Sequence, residues 1–419
     1  MKLGEIVDQA LGSDVPVEFV AFDGSKAGQI GAPIRLEVKS QRAIDLFMSH
    51  PGQIGLVRAY AEGELEIYGD LVETLRVLSN ARYTKMGLTD KLKLGAGLAP
   101  EAVKRVNLKR AFQLNADEKI QRGRRHSKKR DAEAISHHYD VSNTFYEMLL
   151  GPSMAYTCAA FPTDGATLEQ AQEEKFDLVC RKLDLQPGMK LLDVGCGWGG
   201  MVTHAVENYG VEAIGVTLSE QQAGWAQQSI VDRGLTEKAE VRFLDYRDVP
   251  EGEFDAISSI GLTEHIGEDN YRSYFDFLRS KIKPGARMLN HSITRPNDLG
   301  KASYKNSFVN RYIFPDGELT GPAKIVSGAT AAGWEMQHEE NLRRHYALTL
   351  NAWSKNLADN WDKAVEEVGE RKARIWKLYL AASEFGFISN RIQLHQFLLT
   401  NTTSDGFADI QMRPDFSKK

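Results

Sequence analysis

Between Lys190 and Thr294 the chain alternates strand and helix patterns, and this run constrains the fold more than any other feature. KLLDVGCG is an apolar strand that breaks into a glycine turn, GMVTHAVENYG has helical spacing, VEAIGVTLS is a second strand and EQQAGWAQQSIVDRG a second helix. AEVRFLDY and FDAISSIG add two strands, and SYFDFLRSKIKPG with ARMLNHSIT adds a further helix and strand. Such βαβ repetition predicts an α/β fold: a mostly parallel, Rossmann-like sheet covered by helices. Beyond Thr294 the alternation stops, and residues 295–345 read as an insertion over the active-site end. Helices return in YALTLNAWSKNLADNWDKAVEEVG and ERKARIWKLYLAASEFGFISN, with RIQLHQFLLTN and FADIQMRP as closing strands.

The 419 residues leave room for more than this one domain. Ahead of it, VEFVAFDG, PIRLEVKS and ELEIYGD alternate as strands, while QRAIDLFMSHP and LVETLRVLSNARY have helical spacing. The expected organisation is a small α+β N-terminal domain over 1–80, a linker over 81–133 and a catalytic domain over 134–419. The linker is basic. From Arg82 to Arg130 there are 15 Lys and Arg against four acids, although the whole chain carries a net charge of −5. It ends in Arg122, Arg124, Arg125, Lys128, Lys129 and Arg130, which make either a solvated hinge or a polybasic contact to an anionic surface, phospholipid or nucleic acid. Charge alone leaves these open.

Three cysteines, Cys158, Cys180 and Cys196, cannot frame a disulfide-stapled fold. The first residues lack the basic start and apolar core of a signal peptide, and no uncharged apolar run reaches 18 residues. The expectation is a cytoplasmic protein whose contact with a membrane is peripheral.

The glycine turn, Asp193-Val194-Gly195-Cys196-Gly197-Trp198-Gly199-Gly200, lets the backbone approach a nucleoside ligand closely. Its spacing admits NAD or S-adenosylmethionine. An NAD site would close its second strand with an acid for the ribose, whereas this strand closes Gly215-Val216-Thr217-Leu218-Ser219, followed by Gln221 and Gln222. S-adenosylmethionine carries a sulfonium and an amino-acid zwitterion, for which Asp193, Gln222 and Asp245 offer polar partners. Cys158 taken alone reads as a buried apolar filler or a covalent nucleophile rather than an anion ligand. The neighbouring pairs His137-His138 and Glu264-His265 do not point the same way along a strand or helix, so no metal is expected.

His138-Tyr139-Asp140-Val141-Ser142-Asn143, the segment from Gly151 to Cys158, VGCGWGG, GVTLSEQQ, SIGLTEHIG, NHSIT, RYIFPDGEL and HYALTLNAW follow one another in this chain. In that order they closely resemble the cyclopropane-fatty-acid synthase and mycolic-acid methyltransferase family, from about residue 134 to 400. The N-terminal extension, with PIRLEVKS and AYAEGELEIYGDL, resembles that of the long bacterial phospholipid-modifying members. The resemblance implies a class I S-adenosylmethionine-dependent methyltransferase fold. It places the cofactor against Tyr156, Thr157, Gly195, Gly197, Thr217, Leu218, Gln222, Asp245 and Tyr246. It also implies a bicarbonate ion held by Cys158, Glu264, His291, the Ile293 backbone and Tyr346, and an unsaturated phospholipid in an anionic membrane as substrate. A homodimer is compatible with this reading.

The implied chemistry is methyl transfer to an isolated cis double bond, which leaves a carbocation on the acyl chain. Aromatic faces stabilise such a cation, and a base removes its proton. Three departures from the family pattern bear on the product: Thr263 stands where Phe or Leu is usual, Asp316 replaces a common glycine, and Ser383-Glu384 occupies a position usually small or Cys-containing. Loss of a different proton would give a mid-chain methylene, the precursor of a methyl branch, instead of a cyclopropane. Two readings of other classes compete. A nucleic-acid methyltransferase of the amino-methylating kind is expected to carry a PPY-like tetrapeptide, and the chain has no Pro-Pro pair. A non-catalytic lipid-binding protein would have no use for the intact Cys158, Glu264, His291 and Tyr346.

Overall fold

The computed structural model describes residues 2–12, 15–50, 52–81, 128, 130, 141–299, 307–314 and 317–417. The chain forms two compact units. The first holds α1 (Leu3–Leu11), β1 (Val17–Ala21), β2 (Lys26–Gly28), β3 (Ile34–Val38), α2 (Gln41–Ser49), α3 (Gln53–Ala61), β4 (Leu65–Tyr68) and α4 (Leu71–Ser79). Its sheet runs β2-β1-β3-β4, with β1 and β3 parallel and the outer pairs antiparallel. Alternate residues of β1 and β3 are buried, so Val17, Phe19, Ile34 and Leu36 form one core face. The Ser40 side chain caps α2 and Asp70 caps α4, each accepting a backbone N–H of the first turn.

This unit also takes in the helix Phe308–Tyr312 and the segment Trp361–Phe385, both placed in the catalytic domain by the sequence reading. The reason for the latter is visible at Arg374. Its guanidinium donates to the Tyr60 carbonyl at 2.7 Å and to Glu66 at 3.0 and 3.1 Å, contacts more than 300 residues apart that no local pattern announces.

The second unit contains α5 (Asn143–Leu150), α6 (Leu168–Leu183), β5 (Lys190–Val194), α7 (Gly200–Tyr209), β6 (Glu212–Thr217), α8 (Glu220–Asp232), β7 (Ala239–Phe243), β8 (Phe254–Ile260), α9 (Thr263–Ile266), α10 (Tyr271–Lys281), β9 (Ile282–Thr294), α11 (Pro322–Ala331), β10 (Glu335–Asn341), α12 (Arg343–Asp359) and β11 (Gln393–Thr400). Its seven-stranded sheet runs β10-β11-β9-β8-β5-β6-β7. β5 to β9 are mutually parallel, and β11 is antiparallel to both its neighbours. Successive strand residues serve opposite faces. Leu191 packs with α6, α7 and α8, while Leu192 packs with α10 and α11. Thr167 and Gln170 form a capping box that starts α6, Ser219 caps α8, and Pro322 opens α11.

Two expectations are corrected here. The stretch 295–345 is not wholly an insertion, because β10 pairs with β11 as the edge of the main sheet. EMQHEEN escapes recognition because an edge strand half-exposed on both faces carries no apolar alternation. Conversely, FADIQMRP alternates but forms no strand. β11 already has a neighbour on each side, and Phe407 and Met412 stay exposed.

Candidate active site

Most of the predicted cofactor residues follow the ends of β5, β6 and β7. The β5 strand delivers Asp193 and then enters the glycine turn, whose Gly195 and Cys196 amides both donate to the Val216 carbonyl of β6, at 2.9 and 3.0 Å. Gly197 has φ +55°, and a Cβ built on it would meet nothing within 4 Å. The turn therefore faces open space that a ligand can fill. On β6, the Thr217 hydroxyl donates to Gln222 Oε1 at 2.8 Å. That bond orients the buried amide, whose Nε2 has no hydrogen-bond partner among the described residues. Two unanswered N–H groups in the interior suit a carboxylate or hydroxyl ligand. Leu218 is half-buried beside them.

Three other residues of the predicted cofactor set have protein partners. Asp193 is buried and accepts from Ser258 of β8 at 2.6 Å, and burial pushes its carboxyl up to about 6. Asp245 caps a short turn and is clamped by Arg247, through Nε at 2.7 Å and Nη2 at 2.6 Å. Burial works to raise its pKa, but the guanidinium and the Arg247 amide hold it below the usual carboxylate value. Tyr246 stands edge-on to Tyr274 and Phe277, with ring centroids 5.5 and 5.7 Å away.

The five residues expected to hold an anion lie in two groups, of three and of two. On one side, α9 places Glu264 so that Oε1 accepts from the Ile293 amide of β9 at 2.7 Å. His291 lies two residues earlier on the same strand and is 1% exposed. Burial raises the Glu264 carboxyl to about 7 against the opposing pull of the Ile293 amide, and holds the His291 imidazole well below its usual value, with Lys175 and Lys182 adding to the effect. Glu264 Oε2 and His291 Nε2 are buried and have no hydrogen-bond partner among the described residues. On the other side, the Cys158 thiol and the Tyr346 amide both approach the Leu342 carbonyl, at 3.8 and 3.1 Å. The Leu342 amide in turn bonds Leu394 of β11, the strand partner of Ile293. One sheet end thus carries all five residues. Burial drives the Cys158 thiol far up, so it is a neutral thiol rather than a nucleophilic thiolate.

Aromatic rings join the two sets. Tyr346 stacks on Phe387 at 4.4 Å and meets Trp353 edge-on at 6.1 Å. Trp353 lies 5.4 Å from Tyr156, and Tyr156 lies 6.1 Å from Phe314 and 5.6 Å from Tyr146. A wall of π-faces suits a cation, whether a sulfonium or a carbocation.

Sequence reasoning missed Lys175 and Gln172, which stand on one face of α6. Gln172 donates to the Thr157 carbonyl at 2.9 Å, and Lys175 donates to the Thr157 hydroxyl at 3.1 Å while lying 3.6 Å from the Phe176 ring centroid. Lys175 is 1% exposed, and burial lowers its pKa to about 7. The only local signal was charge on the apolar face of an amphipathic helix. Thr263 is fully buried and donates to Asn290 at 2.6 Å. Asp316 lies outside the described residues. So do Arg122, Arg124, Arg125 and Lys129 of the basic cluster, while Lys128 makes an exposed ion pair with Asp248 at 2.6 Å. Among the described residues no group of three or more His, Cys, Asp or Glu can hold a metal, and no helix is long and apolar enough to cross a membrane.

Comparison with known proteins gives one consistent answer. Residues 126–397 match the family model for mycolic acid cyclopropane synthetase. A probable fatty acid methyltransferase of Mycobacterium tuberculosis is 46% identical, covering 95% of this chain and 94% of its own length. The cyclopropane-fatty-acyl-phospholipid synthase of Escherichia coli is 34% identical over 67% of this chain and 71% of its own. Among solved structures, the mycolic acid cyclopropane synthase CmaA1 complexed with SAH and CTAB superposes with a TM-score of 0.61 at 33% identity, covering 64% of this chain and 98% of that one. The sheet order and the glycine turn are accordingly those of a class I methyltransferase, and the chain belongs to the cyclopropane and mycolic acid synthase family of S-adenosylmethionine-dependent, lipid-modifying methyltransferases.

Proposed function

We propose that this enzyme methylates the cis double bond of unsaturated acyl chains in phospholipids and closes the product to a cyclopropane. The observation that carries the reading is the pair of buried polar atoms without a partner among the described residues, Glu264 Oε2 and His291 Nε2, in a unit that also holds the ring series Tyr346, Trp353 and Tyr156. A site with these groups fits a small oxyanion such as bicarbonate. Its donors would be Tyr346, the neutral Cys158 thiol and His291, while the Ile293 amide holds Glu264 in place beside it. The unpartnered Gln222 amide and the open face at Gly197 fit S-adenosylmethionine.

When bound, the cofactor supplies an electrophilic methyl group and the bicarbonate ion a compact base. Tyr156, Trp353, Phe314 and Tyr346 exclude water and offer π-faces to the positive charge that passes to the acyl chain, roughly 0.5 to 2 kcal/mol for each desolvated ring. The new methyl would then share a C–H electron pair with the cationic carbon, closing the third ring bond, and the proton freed would pass to a base held by Glu264, His291 and Tyr346. Glu264, with its carboxyl near 7, orients the anion or takes the proton onward.

A second reading keeps the methyl transfer and ends in a mid-chain methylene. Its support is that a relative matched over nearly the full length is named a probable fatty acid methyltransferase, and that Thr263, bonded to Asn290, places a polar group at the residue before Glu264. Incubation with dioleoyl phospholipid vesicles and a methyl-labelled donor, followed by mass spectrometry, separates these. A ring survives mild hydrogenation and a methylene is reduced; unlabelled lipid would refute both. The proposal extends to a cytoplasmic protein that meets anionic membranes peripherally through its basic cluster, and to a homodimer.

A further inference from the structure

A buried neutral histidine carries one N–H, and which nitrogen holds it decides whether the ring greets a ligand as donor or acceptor. In this structure a chain of contacts settles the choice for His291. Its Nδ1 lies 3.2 Å from the Gln396 amide nitrogen, and the two residues are directly opposed on β9 and β11. The Gln396 oxygen lies 2.7 Å from the Lys182 ammonium at the end of α6. Lys182 is fully buried, and its ammonium pairs with Glu340 of β10 at 2.5 Å.

Each link has one chemically sensible direction. An ammonium beside a carboxylate only donates, so the oxygen of the Gln396 amide must face Lys182. The amide NH₂ is then left facing His291, where it donates to Nδ1. An Nδ1 that accepts bears no proton. The imidazole is neutral, because burial and the nearby lysines disfavour a second charge. Its single proton therefore sits on Nε2, the atom that has no partner among the described residues.

We propose that Lys182 and Gln396 are positioning residues that lock His291 in its Nε2–H tautomer, so that it serves the bound anion as a hydrogen-bond donor. The consequence for the anion rests on the site reading above; the tautomer itself does not. The device explains why the fold keeps a buried ammonium in its core, at a desolvation cost that one ion pair seldom offsets. It also gives Gln396 a role that its position in an apolar closing strand conceals.

The test is long-range ¹H–¹⁵N correlation on the full chain labelled at histidine, with His291 assigned by its loss in His291→Asn. The wild type should show a neutral Nε2–H ring. In Gln396→Glu the new carboxylate accepts from Nδ1, so the proton should move there or the ring should become imidazolium. Lys182→Met, which frees the amide to rotate, should give a mixture. On unsaturated phospholipid vesicles, Gln396→Glu should lower kcat about 10- to 100-fold, the usual scale for losing an orienting partner, with the KM for S-adenosylmethionine within about twofold. An Nδ1–H ring in the wild type, or an unchanged tautomer in Gln396→Glu, overturns the proposal. If Gln396→Glu does not fold, the wild-type spectrum alone decides. An Nε2–H ring in a wild type whose His291 signals ignore added bicarbonate would uphold the lock and refute the anion reading instead.

Discussion

Glu66 in the first unit and Glu264 in the second are both largely withdrawn from water, yet their environments push them in opposite directions. Glu66 accepts from Arg374 and Lys39. Burial works against its charge, but the two cations outweigh that and hold its carboxyl below the ordinary value. Glu264 has one backbone amide for one oxygen and nothing for the other among the described residues, and burial lifts it to about 7. A carboxylate answered by cations is built to hold a fold together. One left half-answered is built to meet something else.

The comparison can be broken first by exchanging the carboxyls for amides. Glu264→Gln should reduce methyl incorporation into lipid about 10²- to 10⁴-fold, the range for losing an acid or base that acts in the reaction. Its melting temperature should stay level or rise. Glu66→Gln should do the reverse: activity within about twofold, and denaturant unfolding showing a loss of about 1 to 2 kcal/mol, discounted for the partial exposure of the pair. A Glu66 variant that abolished turnover while folding normally would erase the distinction.

A sharper version uses pH. The folded-state pKa of Glu264 is raised from the ordinary 4.5 to about 7, so the native state holds its proton more tightly than the unfolded chain. Its contribution is fully present below 4.5 and is lost as pH rises to 7, roughly 3 kcal/mol in all. Glu66 is depressed, so its contribution is present above 4.5 and is lost as pH falls through its folded-state pKa. Unfolding curves of the two glutamine variants, each subtracted from wild type, should therefore slope in opposite directions. Parallel slopes would mean that the two sites are electrostatically alike.

Gln222→Leu should leave the lipid step intact but raise the KM for S-adenosylmethionine about tenfold, equivalent to one lost hydrogen bond to a charged group. The smallest effect belongs to Lys128. Its exposed pair with Asp248 leaves little charge to offer, so Lys128→Gln alone should barely change sedimentation with anionic vesicles. Neutralising all six residues of the basic cluster should weaken it clearly at low salt.

The parallel sheet was legible because strand and helix patterns alternate along the chain and the glycine turn is local. FDAISSIG and KLLDVGCG need no distant partner to be recognised. Three kinds of element escaped. The α3 helix is buried on nearly every side, so it lacks the apolar stripe that marks a surface helix. β10 is polar because it lies at an edge. The third kind is the long-range polar pair. Lys182 and Gln396 are 214 residues apart, and a lysine in RKLDL or a glutamine in LHQFL carries no sign of the other. The five residues proposed for the anion were named only through a resemblance of ordered motifs; the structure adds how Leu342 and β9 gather them.

The most direct test of the account is product analysis after incubating the enzyme with a defined monounsaturated phospholipid, a ¹³C-methyl donor and bicarbonate-depleted or replenished buffer. The account predicts a labelled ring carbon in the acyl chain, formed slowly without bicarbonate and restored by adding it. Label retained in the donor, or found on the headgroup with the double bond intact, would contradict it.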